Sequence, residues 1–193
     1  MAAKEIVELA REASKGNREA FTELCMKKQR EIIFFAYGIL GDMTDAEDVA
    51  QETILSMFRS FYQLKEPEKV DAWVAKIVTN HCYQLFNKRA KRAEDLGAVE
   101  ETAAPPEVDR DFLPEQYCEN VELADELYDI VQKLPQKQRE TILLYYYENL
   151  NYRQIAEVMG VSLQTVSTNL MWGRAKVKEM LIKIHGADES GLI

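Results

Sequence analysis

Asn151-Tyr-Arg-Gln-Ile-Ala-Glu-Val-Met-Gly-Val-Ser-Leu-Gln-Thr-Val-Ser-Thr-Asn-Leu170 is the stretch whose reading decides the fold. Ile155 and Ala156 occupy the inward positions of a short helix, and Ala156 is small where a second helix must cross closely. Gly160 accepts the left-handed conformation that ends the first helix. Val161 plugs the turn into the core, and Ser162 has the side chain of an N-cap for the next helix. Val166 and Leu170, four apart, anchor that second helix. Gln164, Thr165, Thr168 and Asn169 are then left to point outward. A small–Gly–apolar–cap series at this spacing distinguishes a DNA-reading helix-turn-helix from an ordinary helical hairpin.

Working outward from this motif, the sequence reads as helices throughout. Pro135 suits the first turn of a helix that runs to about Tyr147, and another precedes it over about Val121–Lys133. The motif's own helices span about Tyr152–Met159 and Leu163–Ile184. Further upstream, positions 93–116 are rich in acids and proline and have no apolar period, which reads as a flexible linker. Four helices precede it. The first covers about Ala3–Ala13 and stops before Gly16-Asn17, and the second about Glu19–Leu40, ending at Gly41. In the third, Ala46, Val49, Ala50, Thr53, Ile54, Met57, Phe58 and Phe61 keep a helical period, and Thr44 with Glu47 has capping-box spacing. The fourth covers about Val70–Ala90, with Trp73, Ile77 and Leu85 as expected core. The fold class is therefore all-α, with two small helical domains joined by an acidic flexible linker and the helix-turn-helix in the second. The expected boundaries are 1–92, a linker at 93–119, 120–185, and a tail at 186–193.

Composition sets limits on function. The chain has 193 residues, 47% of them apolar, with eight glycines and five prolines; this suits helical domains better than turn-rich β structure. No apolar run approaches the roughly 20 residues that span a bilayer, and the N-terminus lacks an apolar signal core, so no membrane segment and a cytoplasmic location are expected. Cys25, Cys82 and Cys118 are far apart, with no metal-ligand spacing and no disulfide framework. The net charge of −9 is unevenly distributed. Residues 1–92 carry net +1, residues 93–132 net −12, residues 133–181 net +3, and the last twelve −1. The negative charge thus lies between two near-neutral or basic parts, an arrangement compatible with DNA binding.

Two further surfaces stand out. On the third helix Asp45, Asp48, Glu52 and Arg59 lie to one side, near Gln51 and Leu55; from the residues alone this is a solvated face or a docking face for a partner. The fourth helix ends Asn87-Lys-Arg-Ala-Lys-Arg92, beside Asn80, Tyr83 and Phe86. Its charges suit either the helix dipole or a phosphate backbone with unstacked bases. An enzyme has little support. His81 and His185, the only histidines, fall in separate domains, there is no Gly-rich phosphate loop, and the paired carboxylates lie in the linker.

Asp45-Ala-Glu-Asp-Val-Ala-Gln-Glu-Thr53, then Trp73 and Asn80 with the basic run, then the linker, then Leu134-Pro-Gln-Lys-Gln-Arg-Glu140 leading into the helix-turn-helix, together resemble the extracytoplasmic-function sigma factors. These are two-domain promoter-recognition subunits of bacterial RNA polymerase. The resemblance covers nearly the whole chain except the linker and the extreme C-terminus, and the order of the motifs is more specific than any one of them. It implies that Asp45, Glu47, Asp48, Gln51, Glu52 and Leu55 bind core polymerase. It further implies that the Tyr62–Asp71 segment takes up a flipped base of the minus-ten element. Asn80, Tyr83, Asn87, Lys88, Arg89, Lys91 and Arg92 would contact the opened minus-ten strand. Arg139, Arg153, Gln164, Thr165, Thr168, Asn169, Arg174 and Lys176 would contact the minus-thirty-five duplex. Implied partners are core RNA polymerase, promoter DNA and an anti-sigma factor; no catalytic residue, metal or cofactor is implied.

The chain also departs from the family. Gln84 and Asn87 stand where aspartate and arginine are common. Val166-Ser-Thr-Asn-Leu170 replaces a Val-Lys-Ser-Arg-Leu pattern, and Trp172 occupies a commonly basic position. Three positive charges expected near the upstream duplex are absent, which leaves Gln164, Thr168 and Asn169 for hydrogen bonding. Arg139, Arg153, Arg174, Lys176 and Lys178 are left for the backbone. The alternative function, a stand-alone helix-turn-helix regulator, leaves the third helix and the basic run without a role.

Overall fold

The computed structural model describes residues 2–96 and 121–185, and among these every regular element is helical. The acidic linker proper and the tail lie outside the described residues. The chain divides into two compact units, residues 1–114 and 115–193.

In the first unit α1 (Ala2–Ser14) is followed by α2 (Arg18–Leu40), α3 (Met43–Ser60), two 3-10 turns (Phe61–Gln63 and Pro67–Lys69) and α4 (Val70–Leu96). Helix α2 is central, packing against α1, α3 and α4. Its burial explains why: Leu24, Ile32, Phe35, Ala36 and Ile39 are almost wholly covered, and each large side chain so buried contributes roughly 1.5–3 kcal/mol. Asn17 caps α2 by accepting from the Ala20 N–H (3.1 Å). Gly41, in the left-handed region at φ 73°, ends it by donating its N–H to the Tyr37 carbonyl. Helix α3 begins at Met43 under an Asp42 cap that accepts from the Asp45 N–H (2.9 Å). The Thr44–Glu47 capping box is not the starting device, because Asp42 already satisfies the terminal N–H.

Helix α3 buries Ala46, Val49, Ala50, Thr53 and Met57. Phe58, expected in that core, is instead 66% exposed, since one step beyond Met57 is a turn of about 100° around the helix. Its ring leans edge-on against Phe21, which meets Phe61, which in turn meets Trp73, with centroid separations of 5.7, 5.3 and 5.2 Å. Helix α4 buries Val70, Val74, Val78 and Cys82, while Trp73, Ile77 and Leu85 are half-buried at the margin. It continues beyond the expected end at Ala90, to Leu96.

The second unit holds α5 (Val121–Gln132), α6 (Gln136–Ile142) continuing as a π-helical turn (Leu143–Tyr147), α7 (Tyr152–Met159) and α8 (Leu163–His185). Pro135 sits one position before the first turn of α6, as its N-cap residue. Leu134, Ile142, Leu144, Ile155, Val166 and Leu170 form the core. Gly173 lies where α8 crosses α6: a Cβ there would stand 3.0 Å from Ile142 Cγ1.

Candidate nucleic-acid interface

The turn between α7 and α8 is built as its residue types dictate. Asn151 accepts from the N–H groups of Arg153 and Gln154, and Gln154 Oε1 accepts from the Asn151 N–H, a reciprocal capping box. Gly160 ends α7 with φ 65°. Ser162 Oγ accepts from the Thr165 N–H (3.1 Å) and so caps α8. Ile155 is fully buried, whereas Ala156 and Val161 are half-buried. A groove of about 610 Å³ runs along the outer side of the turn, lined by Tyr152 and Arg153 of α7 and by Leu163, Gln164, Ser167 and Thr168 of α8.

The residues expected to meet duplex DNA divide into two sets. Gln164, Thr168 and Arg153 are exposed in the groove. Thr165 is exposed but its hydroxyl is shared with Ser162 (2.9 Å). Asn169, expected to point outward, is half-buried and donates from Nδ2 to Thr141 Oγ1 of α6 (3.4 Å). Arg139 is turned back on α5: its Nη1 donates to the Gln132 carbonyl (3.1 Å) and to Gln132 Oε1 (2.9 Å). A cation there complements the C-terminal carbonyls of α5, and burial lowers the guanidinium's pKa. Arg174 lies over the rings of Tyr145 and Tyr146 at 5.0 and 5.3 Å, a cation–π arrangement. Lys176 pairs loosely with Glu179 (3.7 Å). Ser167, absent from the expected set, shares the groove; its position one turn after Leu163 was the available signal.

In the first unit Asn80, Asn87, Lys88, Lys91 and Arg92 are exposed on α4, and Tyr83 is half-buried. Lys76, also exposed, precedes Asn80 by one turn and extends the same flank. Arg89 is drawn off that flank into an ion pair with Asp45 of α3. Asp45 is consequently not part of the outward acidic face: its side chain is only 15% exposed. Glu47, Asp48, Gln51 and Glu52 are exposed, and next to them Leu55, Phe58 and Tyr62 are 46%, 66% and 73% exposed. A hydrogen bond between Ser56 Oγ and His81 Nε2 (2.9 Å) also ties α3 to α4. Lys28 of α2 is buried and ion-pairs with Asp71 of α4 (2.6 Å) and with Glu31. Among the described residues no group of three or more histidine, cysteine or acidic side chains is arranged to hold a metal ion. No helix there is long and apolar enough to cross a membrane.

Known proteins match both units. A family model for sigma-70 region 2 matches residues 24–92, and one for sigma-70 region 4 matches residues 124–177. The chain is 30% identical over 168 residues to the ECF RNA polymerase sigma factor SigE of Mycolicibacterium smegmatis, covering 85% of this chain and 62% of SigE. It is 27% identical over 175 residues to the ECF RNA polymerase sigma factor SigW of Bacillus subtilis, covering 89% of this chain and 94% of SigW. Among solved structures, the sigma factor RpoE from Bartonella quintana, in complex with the anti-sigma factor NepR, superposes with a TM-score of 0.67 at 21% identity. That match covers 83% of this chain and 96% of RpoE. CnrH, in complex with the cytosolic domain of CnrY, gives 0.60 at 20% identity, covering 92% and 97%. The two region matches define a sigma-70 class of protein. Taken with the relatives, they show that the chain belongs to the extracytoplasmic-function sigma factors.

Proposed function

We propose that this chain binds core RNA polymerase and directs promoter-specific initiation by binding alone, without chemistry of its own. The observation that carries the reading is the construction of the first unit. There an outward acidic and apolar face on α3 and a basic, aromatic flank on α4 are held together by the Asp45–Arg89 and Ser56–His81 contacts. A stand-alone regulator would need only the helix-turn-helix.

In this mechanism Glu47, Asp48, Gln51, Glu52 and Leu55 dock on polymerase. Asn80, Asn87, Lys88, Lys91 and Arg92 follow the opened minus-ten strand, with Tyr83 offering a stacking surface. The segment between α3 and α4 receives a flipped base. The groove of the second unit lies on the minus-thirty-five duplex, with Arg153 beside the phosphates. The expected domain limits, 1–92 and 120–185, shift on the first side to the end of α4 at Leu96, which leaves a linker at 97–119. The protein works where RNA polymerase works, in the cytoplasm. Because RpoE is known in complex with the anti-sigma factor NepR, a protein antagonist of the same kind is the expected partner.

The test is transcription with purified core polymerase on a randomised promoter library, paired with co-purification. Stoichiometric association and enrichment of two spaced elements are expected. Duplex binding without polymerase association would instead support a stand-alone regulator.

A further inference from the structure

Leu163, Gln164, Ser167, Thr168, Met171 and Trp172 follow each other at alternating steps of one and three residues and so occupy one side of α8. All six are exposed, Leu163 at 49%, Met171 at 56% and Trp172 at 57%. From Leu163 to Trp172 this side carries no ionisable group; Arg174 and Lys178 follow on the same side further along the helix. The opposite side, with Val166, Leu170 and Gly173, is buried, and Asn169 is spent on Thr141. Among the described residues that line the groove the one cation is Arg153, which belongs to α7; in a helix-turn-helix the first helix crosses the backbone, and the second enters the major groove by its N-terminal residues.

Chemistry limits what such a groove can read. Guanine is read mainly by bidentate arginine or lysine, adenine by bidentate asparagine or glutamine, and the thymine methyl by apolar contact. Into the groove α8 presents one amide, the hydroxyls of Ser167 and Thr168, and the apolar surfaces of Leu163 and the Thr168 methyl. The geometry points to an upstream element of A·T pairs, in which Gln164 takes an adenine through N6 and N7 and Leu163 and Thr168 pack against thymine methyls. Gln164 is thus the specificity-determining residue of this helix. The inference rests on the proposed role of the groove as the duplex-reading surface and names the bases it reads.

The experiment is selection from a promoter library randomised at the upstream and minus-ten elements, using core polymerase with the full chain or with Gln164→Glu. Glutamate accepts from cytosine N4. One upstream position is therefore expected to change from adenine to cytosine by about tenfold, roughly 1.4 kcal/mol, with the minus-ten selection unchanged. Gln164→Asn, which keeps the amide, should retain adenine at that position with weaker enrichment. Because Gln164 is exposed, both variants should melt with the parent chain. Enrichment of G·C pairs upstream, or an unaltered upstream profile with Gln164→Glu, would overturn the base assignment. A selected minus-ten element without any upstream element would overturn it too, yet leave the initiation role standing. Selection of neither element would overturn the initiation role itself, and the assignment with it.

Discussion

The ion pair between Asp45 and Arg89 makes a prediction that separates a structural strut from a DNA contact. Asp45 lies in the first turn of α3, Arg89 forty-four residues later on the basic flank of α4. Their side chains are 15% and 49% exposed. An exposed pair couples by about 0.2–1 kcal/mol. Here the covered aspartate raises the coupling and the half-solvated arginine lowers it, so about 1 kcal/mol is expected. Asp45→Asn, Arg89→Gln and the double variant form a thermodynamic cycle, read by thermal unfolding followed by circular dichroism. Arg89→Gln leaves the carboxylate covered and without its cation, and should cost about 1–2 kcal/mol, or roughly 4–15 °C in Tm for a unit of this size. The second readout is the salt dependence of holoenzyme binding to promoter DNA. A lost phosphate ligand takes about 0.7–0.9 off the slope. A strut takes nothing off, so Arg89→Gln should leave the slope unchanged. Asp45→Asn, which releases the guanidinium towards solvent, should steepen it by the same amount. If Arg89→Gln flattens the slope by about 0.7 while the cycle is additive, Arg89 binds DNA and the strut argument is refuted.

Three further outcomes follow from the contacts described. Asn151→Ala removes the reciprocal cap of α7 and should cost about 1 kcal/mol, seen as a lower Tm of the second unit in calorimetry; Gln154→Ala should cost less, since Asn151 still accepts two N–H groups. Gly173→Val drives a branched side chain towards Ile142, where even a Cβ stands at 3.0 Å; overpacking of this sort costs about 1–3 kcal/mol, and an unchanged denaturation midpoint would mean that α6 and α8 separate easily. Burial pushes the Cys25 thiol from 9.0 up to about 11. The raised value means that the folded state holds the proton more tightly than the unfolded chain. The stabilisation is complete below pH 9 and is lost as pH climbs towards 11. Denaturation midpoints should therefore fall over that window, and Cys25→Ala should flatten the fall.

Much of the fold was legible because its devices are local. Gly160, Ser162, Val166 and Leu170 act within one turn of themselves, so their spacing alone announces the helix-turn-helix. The apolar period of α3 was equally readable, apart from Phe58 at its edge. Asp42 was missed because Thr44 and Glu47 offered a competing cap two residues later, and both sets have acceptable chemistry. The π-helical turn at Leu143–Tyr147 has no distinct composition. Within it Leu143 and Leu144 are buried, while Tyr145 meets Tyr152 and Arg174 lies over the Tyr145 and Tyr146 rings.

The candidate site was less legible, and for one physical reason. A sequence displays a charge but not the distant group that occupies it. Arg89, Arg139, Arg174 and Asn169 all belong to the polar surface expected to meet DNA, yet each has an intramolecular partner: Asp45, Gln132, the Tyr145–Tyr146 rings and Thr141. An arginine already engaged must surrender that interaction before it can hold a phosphate, so its net contribution to binding is the difference between the two. Counting basic residues therefore overstates electrostatic affinity, most of all in the second unit, where three basic charges common in the family are also missing. On the proposed role of this unit, exposed Arg153 and Lys178 are the cations left for phosphate contact. Under the same proposal, selectivity in that unit falls to the neutral side chains of the groove. If the groove reads bases as proposed, the uncharged start of α8 does so through amide and apolar contacts, and the exposed cations of α4 carry the larger electrostatic share.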